Sequence, residues 1–375
     1  MKMLYILNVA KRVNNFSYTS MLAAKECGFE FHIAGNWLYE TNEELIEDEK
    51  KYGIHIHQID FERAPYSFKN KKAYKQLLSL CLKEQFDIIH CNTPVGGLYG
   101  RIVGIKCNVK TIIYQAHGFH FYKGAPLINW LIYYPIEKWL ARKTDILITI
   151  NSEDYEIAKK RMKLRKGGHI EYVPGVGIDV ESFKNEQINR IKKRKELSLK
   201  ENDIAVISVG DLIKRKNYQV SIEALSKTKN KNIKLFICGV GPEQKKLEKL
   251  IQKLKLKDRV FLLGFRNDVK ELLGAMDIFL ITSKQEGIPR STMEAMASSL
   301  PCVASNIRGN KDLLIGFEEL LFKYNDFYDL SCRLDFFSSN CNLRNIIGSK
   351  LFNKIQSFDN SKITKAYKTI YLALK

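Results

Sequence analysis

Short apolar runs alternate with longer helix-forming stretches through most of this chain, and this alternation constrains the fold more than any other feature. Runs of this length predict buried strands, and the intervening stretches are long enough for crossover helices. The runs lie at 4–7, 31–34, 54–59, 87–90, 109–115, 146–150 and 171–173, and again at 204–209, 234–238, 259–263, 278–282 and 302–304. The rhythm predicts two α/β domains with parallel strands and right-handed crossovers.

A basic stretch separates the two series of runs. It includes Arg190-Ile-Lys-Lys-Arg-Lys195, and its polarity predicts an exposed joint between domains. We therefore predict an N-terminal domain at 1–180, a linker at 181–202, a C-terminal domain at 203–358 and a final segment at 359–375. A nucleic-acid-binding patch is the alternative, but the stretch lacks interleaved aromatic side chains and a recognisable reading module.

The turn after the first predicted strand, at 8–16, contains no glycine. A G-x-G-x-x-G loop is therefore absent, and nothing here supports a nicotinamide dinucleotide cofactor.

The segment Gln285-Glu-Gly-Ile-Pro-Arg-Ser-Thr-Met-Glu-Ala-Met296 joins a buried apolar run to a helix-forming stretch. Glu286 would stand at the carboxyl end of the strand, where open α/β sheets bind ligands. The amino end of the following helix would attract phosphate. A structural alternative remains, because Ser291 and Glu294 also have the spacing of a capping box.

Other polar residues follow predicted strands in the same way. His117 comes where the strand at 109–115 ends, although a turn histidine without function is as good an explanation from local sequence. In the second half, the turns after three strands contain Gly210 with Lys216, Gly239 with Gly241, and Phe265 with Arg266. Each is by itself only a turn signal.

The segment from Glu286 to Glu294 resembles the signature of the retaining glycosyltransferases of family four. The resemblance covers most of the chain and is weakest over 1–110. It implies the type B glycosyltransferase fold, with two facing Rossmann-like domains, and a last helix that returns to the first domain. It also implies a nucleotide-sugar donor whose site includes Glu286, His117, Lys216, Arg215, Glu294, Gly210, Gly239, Gly241, Phe265, Arg266, Gly287, Ile288 and Pro289.

Within that resemblance, Glu286 and His117 lie beside the donor sugar, Glu294 binds the ribose, and Lys216 binds the diphosphate. The chain departs from the family at two places. Asp211 stands where arginine is common, so that Arg215 or Lys214 would have to supply the charge. The turn at 8–16 lacks the Gly-Gly loop of many relatives, which leaves the acceptor contacts open.

The resemblance further implies sugar transfer with retention, from a UDP-sugar such as UDP-N-acetylhexosamine, without a metal or other cofactor. The acceptor would be a lipid-linked saccharide in bacterial capsule, exopolysaccharide or other surface glycan synthesis. Two alternatives remain: a nucleotide-sugar epimerase of the same fold, and a catalytically silent binding subunit of a polysaccharide assembly complex.

Composition bears on the location of the protein. The net charge of +20 favours anionic partners, here a membrane surface and phosphorylated substrates rather than nucleic acid. The apolar stretch 125–136 is too short to span a bilayer, so it predicts either an interfacial contact or an ordinary crossover helix broken or kinked near Pro135. Eight cysteines without metal spacing, and no signal peptide, predict a cytoplasmic protein on the inner face of the membrane.

His55 and His57 lie two positions apart on a predicted strand and therefore share a face. A metal site would need further ligands, which the sequence does not reveal, so we predict no metal. The sequence also leaves the oligomeric state undetermined.

Overall fold

The computed structural model describes residues 1–10, 12, 13, 15–38, 40–183 and 187–375. Two compact units divide the chain. The first comprises Met1–Gly177 together with Asn360–Lys375, and the second comprises Ile178–Asp359.

The first unit contains a parallel sheet of seven strands in the order β3-β2-β1-β4-β5-β6-β7. Its strands are β1 Lys2–Val9, β2 Glu30–Asn36, β3 His55–Gln58, β4 Ile88–Asn92, β5 Thr111–Ala116, β6 Ile146–Thr149 and β7 His169–Tyr172. Its helices are α1 Asn15–Glu26, α2 Asn42–Tyr52, α3 Asn70–Glu84, α4 Pro94–Lys106, α5 Leu127–Ala141, α6 Ser152–Arg161 and the C-terminal α15 Asn360–Leu372.

The second unit contains a parallel sheet of six strands in the order β10-β9-β8-β11-β12-β13. Its strands are β8 Ile204–Val209, β9 Ile233–Cys238, β10 Val260–Gly264, β11 Ile278–Ile281, β12 Cys302–Ser305 and β13 Leu321–Phe322. Its helices are α7 Gln187–Glu196, α8 Tyr218–Lys227, α9 Gln244–Lys253, α10 Val269–Ala275, α11 Arg290–Ala297, α12 Asn310–Leu313, α13 Phe327–Ser338 and α14 Cys341–Ile355.

Both sheets are doubly wound, and the strand order decides where ligands can bind. In each sheet the chain runs outward from one central strand and then returns to its other side, so that β1 lies beside β4 and β8 lies beside β11. The loops that follow such a pair diverge and leave a crevice at the carboxyl ends of the strands. The predicted fold of two parallel α/β domains is confirmed.

The C-terminal helix α15 packs against α1 of the first unit. Tyr371 makes a 2.7 Å hydrogen bond with Nδ1 of the buried His90 on β4. The Tyr367 hydroxyl donates to Oε1 of Gln115 on β5 over 2.8 Å. These buried bonds fix the helix to the centre of the sheet.

Two details differ from the sequence-based predictions. Residues 187–202 do not form a separate linker: α7 packs on α10, and Arg190 and Arg194 bind the two carboxylate oxygens of Asp277 over 2.7 and 3.1 Å. Residues 184–186 of the predicted linker lie outside the described part of the chain.

The short strand β13 precedes α13. Helix α5 is not broken by Pro135, which lies within it. Among the described residues, no helix is long and apolar enough to cross a membrane.

Candidate active site

The crevice of the second unit lies beyond the carboxyl ends of β8 and β11. After β8 the chain forms a 3₁₀ turn at Lys214–Lys216 and then adopts a left-handed conformation at Asn217, where φ is 55°. This turn presents two consecutive basic side chains, Arg215 and Lys216, to the loop that follows β11. The amide of Lys284 in that loop donates to the Arg215 carbonyl over 2.8 Å, which ties the two loops together.

Glu286 occupies the centre of this crevice and is held by both basic residues. Lys216 Nζ donates to Oε1 of Glu286 over 2.9 Å. Arg215 Nη1 lies 2.9 Å from Oε2 of the same carboxylate and also donates to the Gln285 carbonyl. Of the two basic residues considered as a replacement for the arginine expected at Asp211, Arg215 contacts Glu286, whereas Lys214 lines a different pocket beside α9.

The ionisation of Glu286 is set by two opposing effects. Burial raises its pKa, but the attraction of Lys216 and Arg215 outweighs burial and holds the pKa below its ordinary value. Glu286 is thus a buried carboxylate, 8% exposed, that remains charged at neutral pH. Such a group can orient hydroxyls and stabilise positive charge.

Helix α11 begins directly after this loop, and Pro289 is its N-cap residue. Proline provides no side-chain acceptor, and this cap makes no side-chain hydrogen bond. The capping-box alternative for Glu294 is therefore wrong. Glu294 instead accepts a 2.8 Å bond from Arg290 Nε, while burial raises its pKa and Arg290 only partly offsets that rise.

Gly287, Ile288 and Pro289 form the connection between Glu286 and α11. Ile288 packs against the hydrophobic core of the second unit, which fixes the direction of this connection.

The predicted glycine turns lie side by side after β8, β9 and β10. The amide of Gly210 donates to the Cys238 carbonyl over 2.9 Å, and the amide of Gly239 donates to Gly264 over 2.8 Å. A Cβ atom on Gly239, whose φ is +148°, would lie 2.0 Å from the Gly210 carbonyl oxygen. Only glycine permits this approach. A Cβ atom on Gly241 would lie 2.5 Å from the Leu212 carbonyl oxygen.

Phe265 and Arg266 follow β10, and in the described part of the chain neither has a recorded contact with Glu286. Phe265 is 70% exposed. Arg266 donates to both carboxylate oxygens of Asp268 over 2.7 and 2.6 Å and to Glu196 over 2.7 Å. The structure therefore brings Lys216, Arg215 and Glu286 together, whereas Arg266 belongs to an ion-pair network with α7.

Sequence reasoning missed Arg308, which follows β12. Its buried guanidinium Nε donates to the Glu286 carbonyl oxygen over 3.2 Å. The next residue, Gly309, has a φ of +80°, and a Cβ atom there would lie 2.1 Å from the Gly287 carbonyl oxygen. An Arg-Gly pair at the carboxyl end of a strand is the signal that could have revealed it.

In the first unit, His117 follows β5 and approaches the end of β4. Its Nε2 atom lies 3.0 Å from Oδ1 of Asn92. Its Nδ1 atom is buried and has no hydrogen-bond partner. Burial lowers the pKa of His117 to about 4, so the ring is neutral at physiological pH. A neutral imidazole with one unpaired nitrogen is suited to hydrogen-bond a hydroxyl.

A pocket of about 340 Å³ adjoins His117 within the first unit. Aromatic and aliphatic side chains dominate its lining, which includes Phe119, Phe121, Tyr133 and Leu98. Glu137, which also lines it, forms a two-bond ion pair with the buried Arg101 over 2.9 Å at each contact.

Two sequence families match this chain. Residues 189–352 match the family described as glycosyl transferases group 1, and residues 11–151 match the glycosyl transferase 4-like family. EpsD of Bacillus subtilis is 34% identical over 295 residues, which cover 77% of this chain and 74% of EpsD. The UDP-Gal:α-D-GlcNAc-diphosphoundecaprenol α-1,3-galactosyltransferase of Escherichia coli is 32% identical over 309 residues, which cover 78% of this chain and 79% of that protein. The chain belongs to the type B glycosyltransferases.

Solved structures agree with that family at the level of the fold. The structure of Anabaena HepE with UDP-glucose superposes on this glycosyltransferase with a TM-score of 0.80, at 18% identity, covering 100% of both chains. WaaG, a glycosyltransferase involved in lipopolysaccharide biosynthesis, gives a TM-score of 0.73 at 17% identity and covers 98% of this chain and 99% of its own.

Proposed function

We propose that this glycosyltransferase moves a sugar from a UDP-sugar to a lipid-linked saccharide, with retention at the anomeric carbon, during synthesis of a bacterial surface glycan. The observation that carries the proposal is the contact of Lys216 and Arg215 with Glu286 in the crevice beyond β8 and β11. In this proposal the two cations would bind the diphosphate, and the neighbouring carboxylate would face the sugar.

Departure of the nucleotide diphosphate is the step that needs most stabilisation, because negative charge develops on the leaving group. Lys216 and Arg215 would bind the diphosphate oxygens, with the amino end of α11 adding a partial positive charge. Preorganised donors of this kind act without reorganisation during the reaction. These groups supply the charge that a metal ion would otherwise supply, so we propose that transfer is metal-independent.

Glu286 would orient hydroxyls of the donor sugar and stabilise the cationic sugar as the bond to the diphosphate breaks. Glu294 would accept from the ribose hydroxyls, and His117 would hydrogen-bond the donor sugar. Within the described part of the chain, the side chains that bind the Glu286 carboxylate are basic or neutral rather than acidic. We therefore propose attack on the face that the diphosphate leaves, with a donor phosphate oxygen as the base.

The donor assignment is supported by HepE, whose structures contain UDP, UDP with glucose, and UDP-glucose. The acceptor assignment is supported by the Escherichia coli relative, whose name specifies a diphosphoundecaprenol-linked acceptor. The surface-glycan role is supported by the O-antigen biosynthesis glycosyltransferase WclY of Escherichia coli, 26% identical over 302 residues.

Helix α5 supports contact with a membrane surface. One side of the helix packs inward through Trp130, Tyr133 and Tyr134. The opposite side is also apolar but exposed, through Leu127, Ile128, Leu131, Ile132, Ile136 and Trp139. A helix of 15 residues is about 22 Å long, shorter than the roughly 30 Å hydrocarbon core, so α5 would lie along the interface.

A donor screen tests the proposed chemistry. Nucleotide sugars are first ranked by protection against thermal unfolding, since a ligand at 100 times its dissociation constant adds about 2.7 kcal/mol. The best donor is then incubated with and without a diphosphate-linked lipid saccharide in EDTA, and the anomeric configuration of the product is read by NMR. A retained configuration formed only with acceptor is expected. An inverted product or a strict need for metal would contradict the mechanism, and an altered nucleotide sugar without acceptor would indicate an epimerase.

Vesicle binding tests the membrane contact. The protein should sediment with anionic vesicles more than with neutral ones, and less as salt rises, because exposed charges are screened beyond about 10 Å at 0.1 M. Leu131→Asp on α5 should weaken binding, whereas Leu82→Asp, at an equally exposed leucine of α3, should not. Equal effects of the two substitutions would refute α5 as the contact.

A further inference from the structure

The edge of the first sheet carries a cluster of metal-ligating side chains that the transferase reaction does not use. Glu30 and His32 lie on β2, and His55 and His57 lie on the edge strand β3. The register pairs His32 with His55 and Ala34 with His57. Because side chains alternate along a strand, all four groups point to one face of this strand pair.

The distances within the cluster are those of a coordination site. His32 Nε2 lies 2.9 Å from Glu30 Oε1, and His55 Nε2 lies 3.7 Å from the same oxygen. One ligand atom from each of these three residues lies within 4.8 Å of the others. Tetrahedral Zn²⁺ with ligands at about 2.0–2.1 Å separates neighbouring ligand atoms by roughly 3.4 Å. Small side-chain rotations would bring all three to that spacing.

His57 makes the hydrogen bond that a metal-bound histidine needs at its second nitrogen. Its Nε2 atom lies 2.9 Å from Nδ1 of His32, so one of these two nitrogens donates a hydrogen bond to the other. With a metal on Nε2 of His32, Nδ1 keeps its hydrogen and donates it to His57. This arrangement fixes the ring and its tautomer, as outer hydrogen bonds do in other histidine sites. Phe86 packs edge-on against His32, with ring centroids 5.0 Å apart, and limits its rotation.

We propose that Glu30, His32 and His55 bind one divalent transition-metal ion of the Zn²⁺ class, with water completing the coordination. Imidazole and carboxylate together favour such an ion over Mg²⁺ or Ca²⁺, which prefer oxygen ligands. The site lies toward the amino ends of β2 and β3, whereas His117 follows the carboxyl end of the inner strand β5. Its effect is therefore structural: it links the short edge strand β3 to β2.

Lys2 is the feature that opposes metal binding. Its Nζ atom lies 3.8 Å from Glu30 Oε1 and 3.2 Å from Glu84 Oε2. A metal on Glu30 would repel this ammonium group, which would keep its partner in Glu84. Substitution of a ligand should weaken metal binding, whereas removal of the Lys2 charge should strengthen it.

The experiment uses the full-length protein without an affinity tag, stripped of metal and titrated with Zn²⁺ against a chromophoric chelator at pH 7.5. One Zn²⁺ per chain and a higher Tm are expected, and Co²⁺ should give the visible absorption of a tetrahedral site. Glu30→Gln and His55→Ala, both at exposed positions, should each weaken Zn²⁺ binding by about 10- to 100-fold. Lys2→Gln should strengthen it.

His169 and Glu171 lie 3.3 Å apart on β7, at the opposite edge of the same sheet, and among the described residues no third ligand joins them, so His169→Ala is the matched control. It should leave zinc affinity unchanged. Less than half an equivalent of bound Zn²⁺, or equal effects of His169→Ala and His55→Ala, would overturn the proposal. Zinc content and Tm are the readouts, so the result does not depend on transferase activity.

Discussion

The two units handle charge in different ways. All seven histidines of the chain lie in the first unit, and the second contains none. At the end of β5, His117 is a neutral ring beside an amide. In the second unit, beyond the ends of β8 and β11, the Glu286 carboxylate lies between two basic side chains, Lys216 and Arg215.

This difference indicates a division of chemical work. A neutral histidine and an apolar pocket recognise hydroxyls and rings, and they do not attract a diphosphate. Lys216 and Arg215 together would attract a diphosphate, and a bound diphosphate would compete with Glu286 for them. We therefore expect acid to destabilise the first unit, and substitutions that remove charged side chains to lower the activity of the second.

The largest expected effect is on stability at low pH. Burial lowers the pKa of His90 to about 3, and of His117 and His57 to about 4. Below pH 6.5, the ordinary pKa of histidine, these side chains bind protons in the unfolded chain but stay neutral in the folded protein. The free energy of unfolding therefore falls as pH falls from about 6.5 toward 4. His90 alone would contribute a loss of about 3 kcal/mol at pH 4.

Tryptophan fluorescence can follow this loss in the first unit, because all three tryptophans, Trp37, Trp130 and Trp139, lie there. Fluorescence should report acid unfolding at a higher pH than far-UV circular dichroism, which reports both units. Coincident transitions, or a loss that begins only below pH 4, would contradict the expectation.

The next largest effect is expected from Glu286→Gln. If Glu286 stabilises the cationic sugar as proposed, loss of its charge should lower kcat by about 10²- to 10³-fold, the size seen when one preorganised electrostatic group is removed. UDP should bind as well as before or more tightly, because the carboxylate no longer competes for Lys216 and Arg215. Steady-state kinetics and calorimetry with UDP measure the two quantities.

Glu271→Gln, at an exposed carboxylate of α10, provides the comparison and should change neither quantity. Normal turnover in Glu286→Gln, or a loss confined to UDP affinity, would show that the carboxylate only positions Lys216.

Much of this site was predictable because its signals are local in sequence. The apolar runs placed most strands within one or two residues of the observed bounds, and the segment around Glu286 carried its own motif. The two-residue strand β13 was missed, because Leu321–Phe322 is too short for any periodicity.

The sequence-based predictions mainly missed contacts between residues that are far apart in the sequence. The basic run at 190–195 was interpreted as an exposed joint, since its acidic partner Asp277 is far away in sequence. The sequence showed no further ligand beside the histidines of β3, because only strand pairing brings Glu30 and His32 next to them; whether they bind a metal stays a prediction. Arg308 was overlooked for the same reason, as it reaches Glu286 across two neighbouring strands.

Lys216→Ala should have the third largest effect. It removes a charge-assisted hydrogen bond of about 1.5–3 kcal/mol, which corresponds to roughly a tenfold to hundredfold loss in kcat/KM. Lys214→Ala is a close control, because Lys214 belongs to the same 3₁₀ turn but lines the pocket beside α9. Similar losses in the two variants would mean that general positive charge, rather than the position of Lys216, supports transfer.

The smallest effect concerns Glu294, and it separates a ligand contact from an internal ion pair. Because Pro289 caps α11, Glu294→Gln cannot act through a capping box. The lost pair with Arg290 is an i, i+4 contact worth about 0.3–0.5 kcal/mol, so Tm should barely change. If Glu294 accepts from the ribose, donor affinity should nevertheless fall about tenfold, as a charged hydrogen bond of about 1.5 kcal/mol is weakened.

Arg290→Gln breaks the same ion pair from its other end and is therefore the control that decides the matter. Equal small changes in Tm are expected for both variants, with the larger loss of donor affinity for Glu294→Gln. Equal losses of affinity would mean that Arg290 positions the carboxylate and that the pair acts as a unit. Unchanged affinity in Glu294→Gln would leave the crevice of the second unit with the diphosphate and sugar contacts only, and the ribose would need another partner.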